Sequence, residues 1–172
     1  TKPEIIETIS IEEIAERRKT ERLAEISNIE DQKEWFLAYK DIVDDYSSVL
    51  ELPDTIYDIF TEEELDFLFK VVQAEVGDEE STFEQKVNVA RVIFNRLEHE
   101  NFPDTLNEVL TQKNQFAVVS SKKYKKIEVS GEIILACEYA YQIEKSSDLL
   151  FFDCNNTLNY EFVMNDGIHN FY

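Results

Sequence analysis

Glycine and proline are scarce, at three each in 172 residues. A β sandwich or barrel spends turn residues roughly every ten positions, so so few of them favour long helices. Cysteine is limited to Cys137 and Cys154, too few for a disulfide framework, though a single pairing stays open. The two histidines, His99 and His169, are far apart and lack cysteine neighbours, so no metal spacing exists and no metal or cofactor is expected. Basic residues are outnumbered, 17 Lys and Arg against 37 Asp and Glu. A net charge of −20 argues against nucleic-acid and anionic-membrane partners, which need a basic face. No apolar run reaches membrane-spanning length. No export signal is visible, and because the chain starts at Thr1 rather than Met, that absence does not define a compartment.

What is present is a hydrophobic content of 43%, enough for a core. The expected fold class is mainly α (α+β). Two parts are expected: an acidic helical segment over residues 1–60, read as a stem or pair of docking helices open to a protein partner, and a domain over 61–172. In the first part, residues 4–26 read as a charged helix with a narrow isoleucine stripe. Residues 31–50 carry Trp35, Tyr39, Ile42, Tyr46 and Val49 at helical spacing, widened by Phe36, Val43 and Leu50. Asp54 or Thr55 is placed to cap a short helix, Ile56 to Phe60.

The second part opens with a capping box, Thr61 and Glu64, before an apolar face of Leu65, Leu68, Phe69, Val72 and Val76. Gly77 is placed to end this helix as a left-handed cap. Ser81 and Glu84 read as a second capping box. The helix that follows is apolar on most sides and should be the central buried one, with Asn95 and Arg96 near its end in need of partners. A short helix over Leu106 to Leu110 and a polar loop around Gln112–Phe116 come next. Lys122–Lys126 forms a basic cluster, read either as a solvated loop or as an anion contact near a cleft. Ser130 to Ile143 reads as a helix. Leu149–Phe152 reads as a strand, and Tyr160 to Met164 and His169 to Tyr172 as a hairpin around Asn165-Asp166-Gly167.

Glu75 is the residue with chemical interest. It lies at the end of the first helix of this domain, on the border of the apolar face. The negative end of the helix dipole and partial burial both penalise its charged form, so its pKa should rise. A carboxyl held protonated near neutrality is what a general acid requires, for example to protonate a glycosidic oxygen. Taken alone, a glutamate at a helix end is more commonly structural. Glycoside hydrolysis usually takes two carboxylates, and the second could come from Asp78, Glu79, Glu80 or Glu84. A glycan whose own C6 hydroxyl attacks the anomeric carbon needs only one acid/base residue.

The runs Ala74–Glu80, Val89–Arg96, Asn101–Leu110, Gln115-Phe116 and Asp166–Tyr172, with the aromatic strand Leu150–Phe152, resemble in order the catalytic domain of SleB-type cell wall hydrolases, the spore cortex-lytic enzyme family. The resemblance covers about residues 61–172 and implies a lysozyme-like helical fold with a small C-terminal β element. It implies cleavage of peptidoglycan glycan strands, as a lytic transglycosylase acting through one glutamate at the position of Glu75. Glu84, Asn95, Gln115, Phe116, His169 and Tyr172 match family positions and are candidates for lining or supporting the cleft. It also implies an extracytoplasmic place of action: cell wall, spore or phage-associated. A lysozyme-type muramidase and a non-catalytic wall-binding or assembly module remain alternatives. Amidase or peptidase action is weaker still, since the chain lacks the metal or nucleophile set such chemistry needs.

Overall fold

A computed structural model describes residues 9–77, 80–113, 115–143, 149–153, 163–166 and 169–172. The chain divides into two compact units, Thr1–Pro53 and Asp54–Tyr172.

In the first unit, α1 (Ile11–Glu25) packs against α2 (Gln32–Tyr46). Ser10 and Glu13 form a reciprocal capping box at the start of α1, and Asp31 caps α2. The part of the expected first helix before residue 9 lies outside the described residues. On α2 the widening residue Phe36 is fully buried with Ile42, and Leu50 is buried just beyond it, whereas Val49 is exposed. Trp35 and Tyr39 stack at 5.3 Å, as an i, i+4 pair on one helix face should.

The second unit begins with α3 (Ile56–Ile59), capped by Thr55 and Asp58, and α4 (Glu62–Val76), capped by the expected Thr61–Glu64 box. Leu65, Leu68, Phe69, Val72 and Val76 are all buried, and Val71 joins them. Gly77 ends α4 with φ 77° and ψ −149°. Its φ is positive, as expected, but its ψ lies outside the left-handed helical basin, so the chain leaves in an extended direction open essentially to glycine alone.

The central helix is α5 (Phe83–Glu98). Its cap corrects the sequence reading by one residue: Thr82 is the N-cap and Gln85 completes the box. The Thr82 side chain accepts from the Gln85 N–H at 3.2 Å, and the Gln85 side chain accepts from the Thr82 N–H at 2.8 Å. Ser81 instead gives its carbonyl to Lys86, and Glu84 stands exposed in the first turn. Val87, Val89, Ala90, Val92 and Ile93 are fully buried, as a helix apolar on most sides must be. Each of the larger ones contributes about 1.5–3 kcal/mol of burial.

Then come α6 (Leu106–Thr111), capped by Thr105; α7 (Ala117–Ser120); a 3-10 turn, Lys123–Lys126; and α8 (Gly131–Gln142), capped by Ser130. Helix α8 packs along α5, while α4 packs against α5, α6, α7, α8 and the 3-10 turn. The chain ends in an antiparallel three-stranded sheet of order β1-β3-β2, built from β1 (Phe152–Asp153), β2 (Met164–Asn165) and β3 (Asn170–Phe171). The first strand thus pairs three residues later than the expected start at Leu149. Leu150 and Phe151 still join it by donating their N–H groups to the Tyr172 carbonyl at 2.9 and 3.0 Å. The expected hairpin is present where it is described, Phe171 lying opposite both Phe152 and Met164. Tyr160–Phe162, Cys154 and Gly167 lie outside the described residues. The sheet closes over Val92 of α5, with Leu149 and Phe171 in the same buried cluster. Cys137 is a buried free thiol on α8. The fold is therefore mainly α with a small C-terminal sheet.

Candidate active site

Helix α4 delivers Glu75 to its C-terminal turn, between the half-buried Ala74 and the buried Val76. The carboxylate is itself half-buried, and its Oε1 is closed off from solvent without a hydrogen-bond partner among the described residues. Burial pushes its pKa from the usual 4.5 up to about 7, partly offset by a hydrogen bond from the Val118 backbone. Val118 is the second residue of α7, where the first turn of a helix has N–H groups to spare. The expected rise in pKa is thus present, and desolvation is its main cause.

A cleft of about 410 Å³ adjoins this carboxyl, lined by Ala74, Ala117, Val118, Ser121, Lys123 and Ile127. Glu75 is not part of that lining, but it is flanked by it, through Ala74 on its own helix and Val118 opposite. A larger cleft of about 530 Å³ lies on the N-terminal half of α4, among Glu63, Phe67, Lys70 and Tyr124. The smaller cleft, flanking the half-buried Glu75, is the better candidate for chemistry.

Of the other expected residues, His169 lies next to Glu75. His169 is fully buried, edge-on to Phe152 at 5.0 Å and to Phe171 at 6.0 Å. The Glu75 backbone carbonyl lies near enough to its ring to favour the protonated form. Burial lowers its pKa, opposed by Asp166 and by that carbonyl. Its backbone N–H donates to Asp166 Oδ1 at 2.9 Å. His169 therefore ties the last strand to the turn of α4 that carries the acid. Asn95 donates to the Leu149 carbonyl at 2.9 Å, and Arg96 Nε to the Leu150 carbonyl at 2.7 Å. The Arg96 guanidinium also lies over Phe102, Phe116 and Phe151 at 5.3, 5.5 and 5.3 Å.

Phe116 is consequently core: it is buried, it faces Arg96 and Phe152, and it starts α7. Tyr172 is buried too, its hydroxyl 3.3 Å from Asp153. Gln115 is half-buried, its N–H bonded to the Gln112 carbonyl at 3.2 Å. Glu84 is exposed on the first turn of α5. Asp78 and Glu79, two candidates for a second carboxylate, lie outside the described residues.

Two participants were missed from sequence. The first is Val118, which acts through its backbone; the four-residue α7 is too short for any periodic signal. The second is Asp166, which accepts from His169 and whose carbonyl accepts from Gln85 at 2.6 Å. Sequence marks it as a turn residue and as the first of the Asp166–Tyr172 run, but not as a partner of His169.

Residues 80–171 match the Cell Wall Hydrolase family, and the chain belongs to that family. The second unit is thus a peptidoglycan hydrolase domain. The match begins at Glu80, so it does not cover Glu75. Comparison with curated proteins and with solved structures returns no match. No helix among the described residues is long and apolar enough to cross a membrane.

Proposed function

We propose that the second unit cleaves the glycan strands of peptidoglycan as a lytic transglycosylase with Glu75 as its single acid/base. The observation that carries this is a buried carboxyl oxygen without a partner among the described residues, on a group with a pKa of about 7, beside an open cleft. Protonated Glu75 donates to the glycosidic oxygen as the bond to the anomeric carbon breaks. The resulting carboxylate then takes the proton of the muramic C6 hydroxyl as that oxygen attacks the anomeric carbon, closing an anhydro ring. The glutamate starts and ends protonated, so one residue near its own pKa serves both steps. His169 and Asp166 hold the acid's backbone from behind, and the Val118 N–H receives the carboxylate formed midway. Action on this polymer places the domain outside the cytoplasm.

Purified peptidoglycan digested with the protein should release muropeptides with anhydro-muramic ends by mass spectrometry. Reducing ends would establish a lysozyme-type muramidase instead. Free amino termini would point to amidase or peptidase action, and retention on the wall without release to a binding module.

A further inference from the structure

The lysine cluster after α7 is a dense run of positive charge in an acidic chain. Lys19, Lys70 and Lys86 each meet a carboxylate, at 2.9, 2.7 and 3.6 Å. Lys122, Lys123, Lys125 and Lys126 meet none among the described residues and are exposed, in a chain with 37 acidic residues. Four cations over five positions repel one another unless an anion sits among them.

The backbone beneath them is firmly held. The Tyr124 ring lies 4.8 Å from Phe67 of α4. The Lys122 N–H donates to the Val119 carbonyl at 3.0 Å, and the Ile127 N–H to the Tyr124 carbonyl at 3.0 Å. Lys122 itself takes a left-handed conformation, φ 56° and ψ 16°, which is disfavoured for a residue with a β-carbon. Lys123 lines the cleft beside Glu75, so the turn carries its charge to the mouth of that cleft.

Resting on the reading of that cleft as a glycan site, we propose that this lysine turn binds the carboxylates of the peptide stems that hang from the glycan strand. The sugars between the stems are neutral at these positions, so the stems supply the anions that unpaired lysines at the cleft mouth would recognise. Wall polymers with phosphate groups share the oxyanion chemistry, and the test separates the two sources.

The full chain carrying Glu75→Gln, which binds without cutting, is titrated with soluble uncross-linked glycan strands that carry their stems or lack them with the exposed lactyl carboxyls capped as amides, and with a phosphate-bearing wall polymer. Peptide-bearing strands should bind about tenfold more tightly than stripped ones, a preference that fades at high salt. The variant K122S/K123S/K125S/K126S should lose that preference, Lys123→Ala should lose part of it, and Lys123→Arg should keep it. All four side chains are exposed, and an unchanged Tm verifies the fold. Equal binding of the two strands, a preference that survives the fourfold substitution, or tighter binding of the phosphate polymer would each overturn the proposal. Failure of the enzymatic reading is seen separately: unsubstituted protein that prefers stem-bearing strands through these lysines, yet releases no product, supports the turn and removes the cleavage.

Discussion

Helices α4 and α5 lie side by side, and both carry polar residues at the edge of an apolar face, with opposite outcomes. On α5 these groups are tied down. Gln85 donates to the Asp166 carbonyl at 2.6 Å, Lys86 to Ser81 at 2.7 Å, Asn95 to Leu149 at 2.9 Å and Arg96 to Leu150 at 2.7 Å. All four acceptors are backbone carbonyls in loops or beside the sheet. Helix α5 thus uses its polar side chains to fasten irregular chain to the core, satisfying groups that would otherwise be buried unpaired. On α4, Glu75 instead leaves one carboxyl oxygen buried and without a partner among the described residues. Helix α5 also leaves a donor open among the described residues, Arg96 Nη1, but that guanidinium is enclosed by aromatic rings, whereas Glu75 stands beside a cleft, where an open acid can work.

The strongest way to break this comparison is to remove the open group. Glu75→Gln keeps the shape but cannot give up or accept the proton, so glycan cleavage should fall by about 10²–10⁴-fold, as for loss of a general acid. The unsubstituted enzyme should lose rate as pH rises through about 7, because the donating form of Glu75 is then depleted. A rate on purified peptidoglycan that is flat from pH 6 to 9, or a fully active Glu75→Gln, would remove Glu75 from the chemistry.

On the fastened side, Arg96 should give the largest loss of stability. Burial lowers its pKa to about 10, so it stays charged at neutral pH among three aromatic rings and a carbonyl. Arg96→Ala should cost about 3 kcal/mol, from one charged hydrogen bond and the stacked faces. Arg96→Lys should rescue little, since an ammonium cannot lie flat between rings. Thermal unfolding gives the loss as roughly 6–12 °C in Tm. Residual activity should follow the folded fraction, in contrast to Glu75→Gln. A Tm change below 2 °C would mean the aromatic box holds without its cation.

These contrasts also separate what the sequence made legible from what it hid. Helix α4, its Thr61–Glu64 cap, the buried face of α5 and the rising pKa of Glu75 were readable, because period and cap chemistry act within one helix and the apolar face that Glu75 borders already marked it for burial. The α5 cap slipped by one because Ser81 and Thr82 can each start a box, with Glu84 or Gln85 as partner. The Gln85 side chain also reaches Asp166, a contact 81 positions away that local pattern cannot contain. The roles of Asn95, Phe116 and His169 were hidden for the same reason. Each is set by chain more than 35 positions distant: Leu149 for Asn95, Phe152 for Phe116, and the Glu75 carbonyl for His169. Their motif positions were visible, but whether they line or support was not.

A smaller effect sharpens the same comparison through stability. Glu75 has an ordinary pKa of 4.5 and a folded one of about 7. Between these values the folded chain still holds a proton that the unfolded chain has released, so folding weakens as pH rises through this window. Above about 7 the folded state carries the charge at full cost; below 4.5 both states are neutral and the cost is gone. Glu75→Gln escapes the penalty. It should be more stable than the parent at pH 8 by on the order of 1–2 kcal/mol, allowing for partial solvent access, and equal to it at pH 4. Denaturant unfolding at the two pH values measures this. A variant destabilised at pH 8 would mean Glu75 is a structural residue like those on α5.

The smallest expected effect falls on Glu84 and decides the number of carboxylates at work. Glu84 is exposed on the first turn of α5, and Gln85 rather than Glu84 completes the cap. Its remaining structural role is a favourable charge at the helix N-terminus, so Glu84→Gln should cost no more than about 0.5 kcal/mol. If Glu75 alone carries proton transfer, the same substitution should change glycan cleavage less than about threefold, far short of the 10²–10⁴ of a lost catalytic carboxyl. A large fall in rate with an unchanged Tm would make Glu84 a second catalytic acid. Reducing sugar ends should then replace anhydro ends in the digest, since a second carboxylate allows water to be the nucleophile.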